Sequence, residues 1–384
     1  MTSTVTSQTA LDTIIDATEA VTPLRMSGRG HWMDAGRSSE ATRILSLANH
    51  TGVVDYVPGD LTITVRSGTT LAELDQITRA ESQWLPLDPF GTSDGTIGAT
   101  IATGSFGPLA HGFGRARDLV LGLEFVTGDA KVVRGGGRVV KNVAGFDLVR
   151  LLTGSWGTVG VITEVTLRLY AISSEPVTMT LNLPDGAGGI SQRIAPILGG
   201  GVTPYSVEMV DAAVAGRLGL PAKTQVLVRI GGNSAAMTAQ RDFLAALGGA
   251  HELAADIWGK LRLVEDAAAG EVPPIVIRFS TLPGRVADLW TNLQRSATAV
   301  SGAMMHATPS LGIVRCIIPG NSSLDAVELL IASATGATKL YERLPSSLWD
   351  SMSPSVTDDR ISQRIKRAFD PGNLLNPGIL GPLN

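Results

Sequence analysis

Two glycine-rich stretches decide the fold: TIGATIATG at residues 96–104 and GSWGTVGVI at residues 154–162. They belong to a region of high glycine density, since 16 of the chain's 44 glycines fall between residues 91 and 160. Glycine alternates here with valine, isoleucine, leucine and threonine, which indicates turns and close backbone approaches inside an ordered sheet. A ligand pressed against the main chain is one reason for such a pattern.

A third glycine-containing segment, SGRGH at residues 27–31, follows a short strand predicted at 23–26. Consecutive main-chain N–H groups in such a turn can bind phosphate. Taken alone, a Gly-x-Gly turn is more often plain loop geometry. Neither longer stretch has the Gly-x-Gly-x-x-Gly spacing at the start of a βαβ unit, which argues against a Rossmann site for NAD.

Composition excludes several classes of protein. A net charge of -4 argues against binding to nucleic-acid phosphates. Cys316 is the only cysteine, so the chain cannot build a disulfide framework or an iron–sulfur site by itself, and a reducing, cytoplasmic location is expected. The first 24 residues lack the basic start of a signal peptide, and no apolar run reaches membrane-spanning length, so membrane contact is expected only through partners. The histidines are scattered, and no metal site is expected.

The spacing of apolar residues predicts an α+β chain in which the pattern of helices and strands changes near residue 172. Thr70 and Glu73 form a plausible capping box at the start of an amphipathic helix. The other predicted elements are helices at 9–20, 236–247, 284–299 and 358–369, strands at 60–66, 120–126, 132–134, 161–169, 225–230 and 275–280, and a hairpin connection at 127–130.

Four motifs in order resemble the FAD-linked oxidases of the vanillyl-alcohol oxidase and p-cresol methylhydroxylase type. They are Pro58-x-Asp60-Leu61-x-x-x-Val65-x-x-Gly68-Thr69-Thr70-Leu71, Thr96-Ile97-Gly98, Gly114-Arg115-x-Arg117-Asp118 and Gly154-Ser155-x-Gly157-Thr158-x-Gly160-Val161-Ile162. Two further segments, GRVVKNVAGFD at 137–147 and FDPGNLLNPG at 369–378, are most similar to the smaller FAD-binding subunits of bacterial glycolate oxidases. The resemblance covers nearly the whole chain.

The resemblance implies an α+β fold with three parts. Residues 1–172 would form a two-subdomain FAD-binding domain, and residues 173–345 an α+β cap domain over the flavin. Residues 346–384 would return to the FAD domain.

The resemblance also implies which residues bind FAD. They are Ser27, Gly28, Arg29, Gly30, His31, Thr96, Ile97, Gly98, Ala99, Thr103, Gly104, Ser105, Arg115, Asp118, Gly157, Thr158, Gly160, Val161, Ile162 and Asn376. Residues 28–31 would form the pyrophosphate loop. His31 replaces the usual Ser or Thr, and two roles stay open for it: a hydrogen bond to phosphate, or the covalent bond to FAD that several relatives form. Ala99 and Trp156 also depart from the family pattern.

Substrate chemistry is assigned less directly. Oxidation of a 2-hydroxy acid needs a base for the hydroxyl proton and a cation for the carboxylate. The candidates are His306, Arg278, Arg315 and Arg262, although each is by itself more often a surface or packing residue. The segment around His306 lacks the second histidine of the related larger subunit.

The sequence is compatible with three functions. The first is an FAD-binding subunit of a glycolate oxidase that forms glyoxylate and passes electrons to a larger flavin subunit and an iron–sulfur subunit. The second is a self-sufficient FAD-dependent oxidase of an alcohol, lactone or aldose. The third is a non-catalytic assembly subunit.

Overall fold

The computed structural model describes residues 7–37, 39, 41, 43–137, 147–173, 176–254, 256–266, 272–349, 351–352 and 360–381. The α-helices within these residues are α1 (Ser7–Glu19), α2 (Leu71–Arg79), α3 (Ile97–Thr103), α4 (Ala110–Phe113), α5 (Ala116–Leu119), α6 (Leu148–Leu152), α7 (Ala187–Pro196), α8 (Ala212–Arg217), α9 (Ser234–Ala246), α10 (Ile257–Arg262), α11 (Val286–Ala297), α12 (Leu324–Ser333) and α13 (Arg360–Phe369).

The strands of the same residues are β1 (Leu24–Ser27), β2 (Arg43–Ser46), β3 (Val53–Val57), β4 (Thr62–Arg66), β5 (Gln83–Trp84), β6 (Val120–Val126), β7 (Val132–Gly136), β8 (Val161–Arg168), β9 (Tyr170–Ala171), β10 (Val177–Asn182), β11 (Ser206–Val210), β12 (Gln225–Ile230), β13 (His251–Leu253), β14 (Ile275–Ser280), β15 (Met304–Thr308), β16 (Ile313–Ile318) and β17 (Thr338–Arg343).

The chain divides into two compact units. Unit 1 contains residues 1–106, 114–172 and 356–384, and unit 2 contains residues 107–113 and 173–355. The chain therefore returns to the first unit at its C-terminal end. Residues 138–146, within one of the family motifs, lie outside the described part of the chain.

Unit 1 is built on a five-stranded antiparallel sheet with the order β3-β4-β8-β6-β7. Its core contains Val65, Phe125, Val165 and Leu167, all of which are fully buried. The predicted hairpin is confirmed, since β6 and β7 pair in antiparallel register from Val126–Val132 onward. Alternating apolar residues along these strands place one face of the sheet in the core.

A second part of unit 1 brings the two ends of the chain together. Strand β1 pairs in parallel with β2, and Leu24 forms a parallel bridge with Leu375 on its other side. The main-chain N–H of Leu24 donates to the Leu374 carbonyl at 2.7 Å, and the N–H of Asn376 donates to the Leu24 carbonyl at 2.8 Å. Strand β1 thus lies between β2 and a segment near the end of the chain.

The capping box predicted at residue 70 is confirmed. The Thr70 hydroxyl accepts from the Glu73 N–H at 3.1 Å, while the Glu73 carboxylate accepts from the Thr70 N–H at 2.8 Å. Within 96–104 the structure shows a helix that the sequence pattern did not predict, Ile97–Thr103 (α3). Thr96 caps this helix by accepting from the Ala99 N–H at 3.4 Å, and Gly104 ends it in the left-handed conformation.

Unit 2 is built on an eight-stranded antiparallel sheet with the order β13-β10-β12-β11-β15-β16-β14-β17. One face carries a large apolar core that includes Val228, Phe279, Met305 and Trp290, with the indole of Trp290 fully buried on α11. The predicted second α+β region is present, with strands at Gln225–Ile230 and Ile275–Ser280.

The short segment 107–113, which contains α4, belongs to unit 2. The Gly112 N–H donates to the Tyr205 carbonyl at 3.1 Å, and the rings of Phe113 and Tyr205 meet edge to face with centroids 4.9 Å apart. An added Cβ on Gly112 would lie 3.0 Å from the carbonyl oxygens of Pro204 and Tyr205, so glycine permits this close approach. The sequence did not indicate this contact.

Among the described residues, no helix has both the length and the apolar character needed to cross a membrane.

Asp211 joins three elements of unit 2. Its carboxylate caps α8 by accepting from the Val214 N–H at 2.7 Å, and its other oxygen accepts from the Met305 N–H of β15 at 2.9 Å. Burial raises the pKa of Asp211 from 3.8 to about 6, since the two backbone hydrogen bonds only partly offset the loss of hydration.

This pKa predicts a pH-dependent stability. The folded carboxyl holds its proton more tightly than the unfolded one, so its contribution is fully present below pH 4 and is lost as pH rises through about 6. Relative to Asp211→Asn, which mimics the protonated state, the wild-type protein should lose about 3 kcal/mol of unfolding free energy between pH 4 and 7. Urea unfolding of both proteins across this range measures the difference. If the unfolding free energies of the two proteins changed with pH in the same way, this would contradict the prediction.

Candidate cofactor site

Unit 1 contains a cleft with about 810 Å³ of empty space, open solvent included. Its walls come from β1 and the loop after it, from the segment around α3, and from the start of β8 with the turn before it. Asn376 and Ile379, from the C-terminal segment, complete the lining. The three glycine-containing segments of the sequence therefore meet at one place.

The first wall is the loop after β1. The Met33 N–H donates to the Gly30 carbonyl at 3.1 Å, and the Ala35 N–H donates to the Trp32 carbonyl at 3.3 Å. Gly30 has a φ of +92°, a conformation that disfavours a side chain. The guanidinium of Arg25, on β1, holds this loop by donating to the carbonyls of Trp32 and Ala35 at 3.1 and 3.3 Å.

The second wall contains helix α3, which packs closely on its neighbours. An added Cβ on Gly98 would lie 2.6 Å from Cβ of Ser67, and one on Gly28 would lie 2.4 Å from Oγ1 of Thr96. Such distances are too short for any side chain, so both positions need glycine. The first and second walls therefore contact each other through backbone atoms and small side chains.

The third wall is fixed by the C-terminal segment. The Asn376 side chain accepts from the Met26 N–H at 2.8 Å and donates to the Trp156 carbonyl at 2.6 Å. One amide therefore joins β1 to the turn before β8. An added Cβ on Gly157 would lie 3.0 Å from the Asn376 amide nitrogen, and Gly157 also has a φ of +67°.

The structure places most of the expected FAD-binding residues in this lining. They are Ser27, Gly28, Arg29, Gly30, His31, Thr96, Gly98, Ala99, Thr103, Gly157, Gly160, Val161, Ile162 and Asn376. The expected residues outside the lining are Ile97, Gly104, Ser105, Arg115, Asp118 and Thr158.

The residues outside the lining have other contacts. Ile97 is fully buried in the core, and the N–H of Ser105 donates to the Thr100 carbonyl at 3.1 Å after α3 ends. The Thr158 hydroxyl donates to the Ser155 carbonyl at 2.6 Å. These contacts shape the segments beside the cleft.

Arg115 and Asp118 fix the loop that leads into β6. The Arg115 N–H donates to the Asp118 carboxylate at 2.8 Å, and the Arg115 guanidinium lies 4.9 Å from the centre of the Phe106 ring. Neither side chain lines the cleft, so their expected contact with FAD stays a prediction.

Sequence reasoning missed several lining residues, notably Arg25, Trp32 and Ile379. Trp32 meets Trp156 edge to face with ring centroids 5.7 Å apart, so two aromatic rings stand together at the cleft. A tryptophan directly after the SGRGH segment was the available signal. Nothing local marked Arg25 or Ile379.

His31 lies in the lining with its side chain 36% exposed. Its Nε2 is 3.4 Å from both the Asp94 carboxylate and the Thr92 hydroxyl. The imidazole is thus accessible from the cleft, as either of its two expected roles requires.

Three of the four catalytic candidates lie in one row across the sheet of unit 2. His306 of β15 is directly opposite Arg315 of β16, which is directly opposite Arg278 of β14. Arg262 lies elsewhere, at the end of α10. The row is on the face opposite to the apolar core, because the neighbouring residues Met305 and Cys316 point into that core.

Carboxylates lie within hydrogen-bonding distance of each member of the row. Nδ1 of the fully buried His306 is 2.6 Å from the Glu208 carboxylate. Arg315, 2% exposed, donates from Nε to Glu342 at 2.7 Å, and Arg278 donates to the same carboxylate at 3.1 Å. Burial alone would raise the pKa of Glu342, but the charges of Arg315 and Arg278 outweigh it and lower the pKa.

A second histidine approaches this network from the segment 107–113. Nδ1 of His111 is 2.6 Å from the Ser310 hydroxyl. Burial lowers the pKa of His111, and the negative charge of Glu208 opposes that shift only partly. No local pattern indicated that His111 and His306 both lie near Glu208, because almost 200 residues separate the two histidines.

The cleft of unit 1 fits a dinucleotide better than the unit 2 network fits a substrate. The lining of the cleft includes several glycines and the small residues Ala99 and Ala102, which suits close approach of a flat ring system and phosphates. His306 and Arg315 are buried against carboxylates. The two sites therefore differ in what they can offer a ligand.

Comparison with known proteins also points to FAD binding. A family model described as an FAD binding domain matches residues 3–136. The glycolate oxidase subunit GlcE of Escherichia coli is 30% identical over 377 residues, which are 97% of this chain and 96% of that protein. The glycolate oxidase subunit GlcD of Bacillus subtilis is 28% identical over 210 residues, 53% of this chain and 44% of that protein.

Solved structures show the fold. The 4-ethylphenol oxidase from Gulosibacter chungangensis has a TM-score of 0.74 at 16% identity, covering 98% of this chain and 88% of that one. The α+β fold expected for the p-cresol methylhydroxylase type is confirmed.

The Asn376 amide can be tested without disturbing the backbone. Its φ is +44°, so Asn376→Gly keeps this conformation accessible and removes only the side chain. Losing the hydrogen bonds to Met26 and Trp156 should weaken FAD affinity at least about tenfold, measured by fluorescence titration of flavin-free protein. Asn182→Gly, at an exposed site of unit 2, should leave FAD affinity unchanged. Wild-type affinity in Asn376→Gly would contradict this role.

Proposed function

The chain belongs to the family of FAD-linked oxidoreductases that includes the glycolate oxidase subunit GlcE. We propose that it is the FAD-binding subunit of a glycolate oxidase complex. The family's chemistry is FAD-dependent oxidation of hydroxy acids. In the proposed reaction glycolate becomes glyoxylate, and two electrons leave through a larger flavin subunit and an iron–sulfur subunit.

The observation that carries the proposal is the cleft of unit 1. FAD bound there would supply a two-electron redox centre for the oxidation that the complex carries out. The loop at residues 28–31 would hold the diphosphate through main-chain N–H groups. Gly98 and Gly157 keep side chains out of the cleft walls, and Asn376 holds two of those walls in place.

The proposed partners follow from what this chain lacks and what its relatives are. Its single cysteine, Cys316, is buried in the core of unit 2, so cysteine ligands for an iron–sulfur cluster must come from another chain. The names of both glycolate oxidase relatives describe them as subunits. This supports electron transfer between chains.

The burial of the catalytic candidates supports a helper role within that complex. His306 and Arg315 are held by Glu208 and Glu342, and Arg278 shares the second carboxylate. A substrate carboxylate would have to displace Glu342 to reach these arginines. We therefore assign chemical oxidation to the larger partner and FAD binding to this chain.

The test is anaerobic reduction. The chain purified alone should show a flavin spectrum that stays oxidised when glycolate or D-lactate is added, whereas the assembled complex should bleach with glycolate. Bleaching by the chain alone would overturn the helper role. Flavin that stays oxidised in the complex would overturn hydroxy-acid oxidation, and a chain that takes up no FAD would indicate an assembly subunit.

The accessible position of His31 favours one alternative, a self-sufficient oxidase with covalently bound FAD. Our proposal predicts instead that His31 binds phosphate, so acid precipitation of the wild-type protein should release all flavin into the supernatant. Absorbance of the pellet and supernatant measures this. Flavin that remains with the precipitated wild type but not with His31→Ala would establish the covalent alternative.

A further inference from the structure

Arg25 is a buried cation at the edge of the cofactor cleft. It lies on β1, is 8% exposed, and lines the cleft beside the loop at residues 28–35. A guanidinium remains protonated in proteins at any physiological pH. Strand β1 therefore carries a positive charge into the interior of unit 1.

The partners of Arg25 are neutral. Its Nη2 donates to the carbonyls of Trp32 and Ala35, and no Asp or Glu of the described residues forms an ion pair with it. Loss of hydration lowers the pKa of Arg25, and no carboxylate is among the causes that act on it. Carbonyl dipoles compensate a buried charge only in part, since buried charges are normally paired with an opposite charge.

The contrast with other buried cations of the chain is clear. Arg315 is paired with Glu342, and Lys366 with Asp370. Arg25 differs in that both hydrogen-bond partners of its side chain are neutral carbonyls, and it lines the cleft of unit 1. An anionic ligand in that cleft would supply the charge that the fold around Arg25 does not.

We propose that Arg25 is a positioning residue whose buried charge is matched by the diphosphate of FAD, so that cofactor binding completes the ion pair. The same side chain holds the loop at Trp32 and Ala35, which links the charge to the conformation of the proposed phosphate loop. This inference rests on the proposed FAD site. It selects for flavins that carry a diphosphate over flavins that carry none.

The experiment compares two ligands and three variants of the full chain. Flavin-free protein is titrated with FAD and with riboflavin, which has no phosphate. Arg25→Gln retains an amide that can donate to the loop carbonyls but removes the charge. It should weaken FAD affinity at least about 30-fold and change riboflavin affinity by less than about threefold.

Arg25→Lys keeps the charge and should keep most of the preference for FAD. Arg43→Gln is the matched control, because Arg43 is exposed on β2 of the same small sheet and lies outside the cleft. Its FAD affinity should stay within about twofold of wild type. Urea unfolding of the flavin-free proteins provides a second readout: Arg25→Gln should be as stable as wild type without FAD and less stabilised when FAD is added.

The possible results distinguish charge matching by Arg25 from a role in loop structure alone. Equal losses of FAD and riboflavin affinity in Arg25→Gln, or a large loss of stability without flavin, would show that Arg25 only shapes the loop. Wild-type FAD affinity in Arg25→Gln would exclude both roles. If Arg25→Gln does not fold, an Arg25→Lys protein that loses its preference for FAD would overturn the proposal. Wild-type protein that binds no FAD would overturn the cofactor site itself.

Discussion

The buried ion pair between Lys366 and Asp370 anchors the C-terminal segment on which the cofactor cleft depends. Asp370 is 1% exposed and accepts from the N–H groups of Leu374 and Leu375 at 2.9 and 2.8 Å. Lys366 donates in addition to the carbonyls of Thr158 and Leu375 at 2.9 and 2.8 Å. Because nearly every polar atom of the pair is used, the chain after α13 has one defined path.

That path determines the shape of the cleft. It lays Leu375 beside β1 and delivers the Asn376 amide to Met26 and to Trp156, so that residues from both ends and the middle of the chain are joined by one side chain. The glycines of the lining let these walls approach closely, and the Asn376 hydrogen bonds hold two of the walls together.

Buried arginine side chains have different partners in the two units. In unit 2 the two arginines of the polar row, Arg315 and Arg278, share the Glu342 carboxylate. In unit 1 the charge of Arg25 is held by carbonyls at the edge of the cleft. The first arrangement places the arginines against a carboxylate of the protein, and the second is suited to a ligand that brings its own negative charge.

The sequence by itself determined the local features. The capping box at Thr70 and the β6–β7 hairpin follow from short-range spacing, because the forces that specify them act within a few residues. The helix α3 was missed even so, since its glycine and threonines favour turns until Thr96 caps it and Ser67 packs on Gly98. Only the tertiary structure decided which polar groups meet. Met26 and Asn376 are 350 residues apart, and Glu208 reaches His306 only through the pairing of β11 with β15, which no local pattern records.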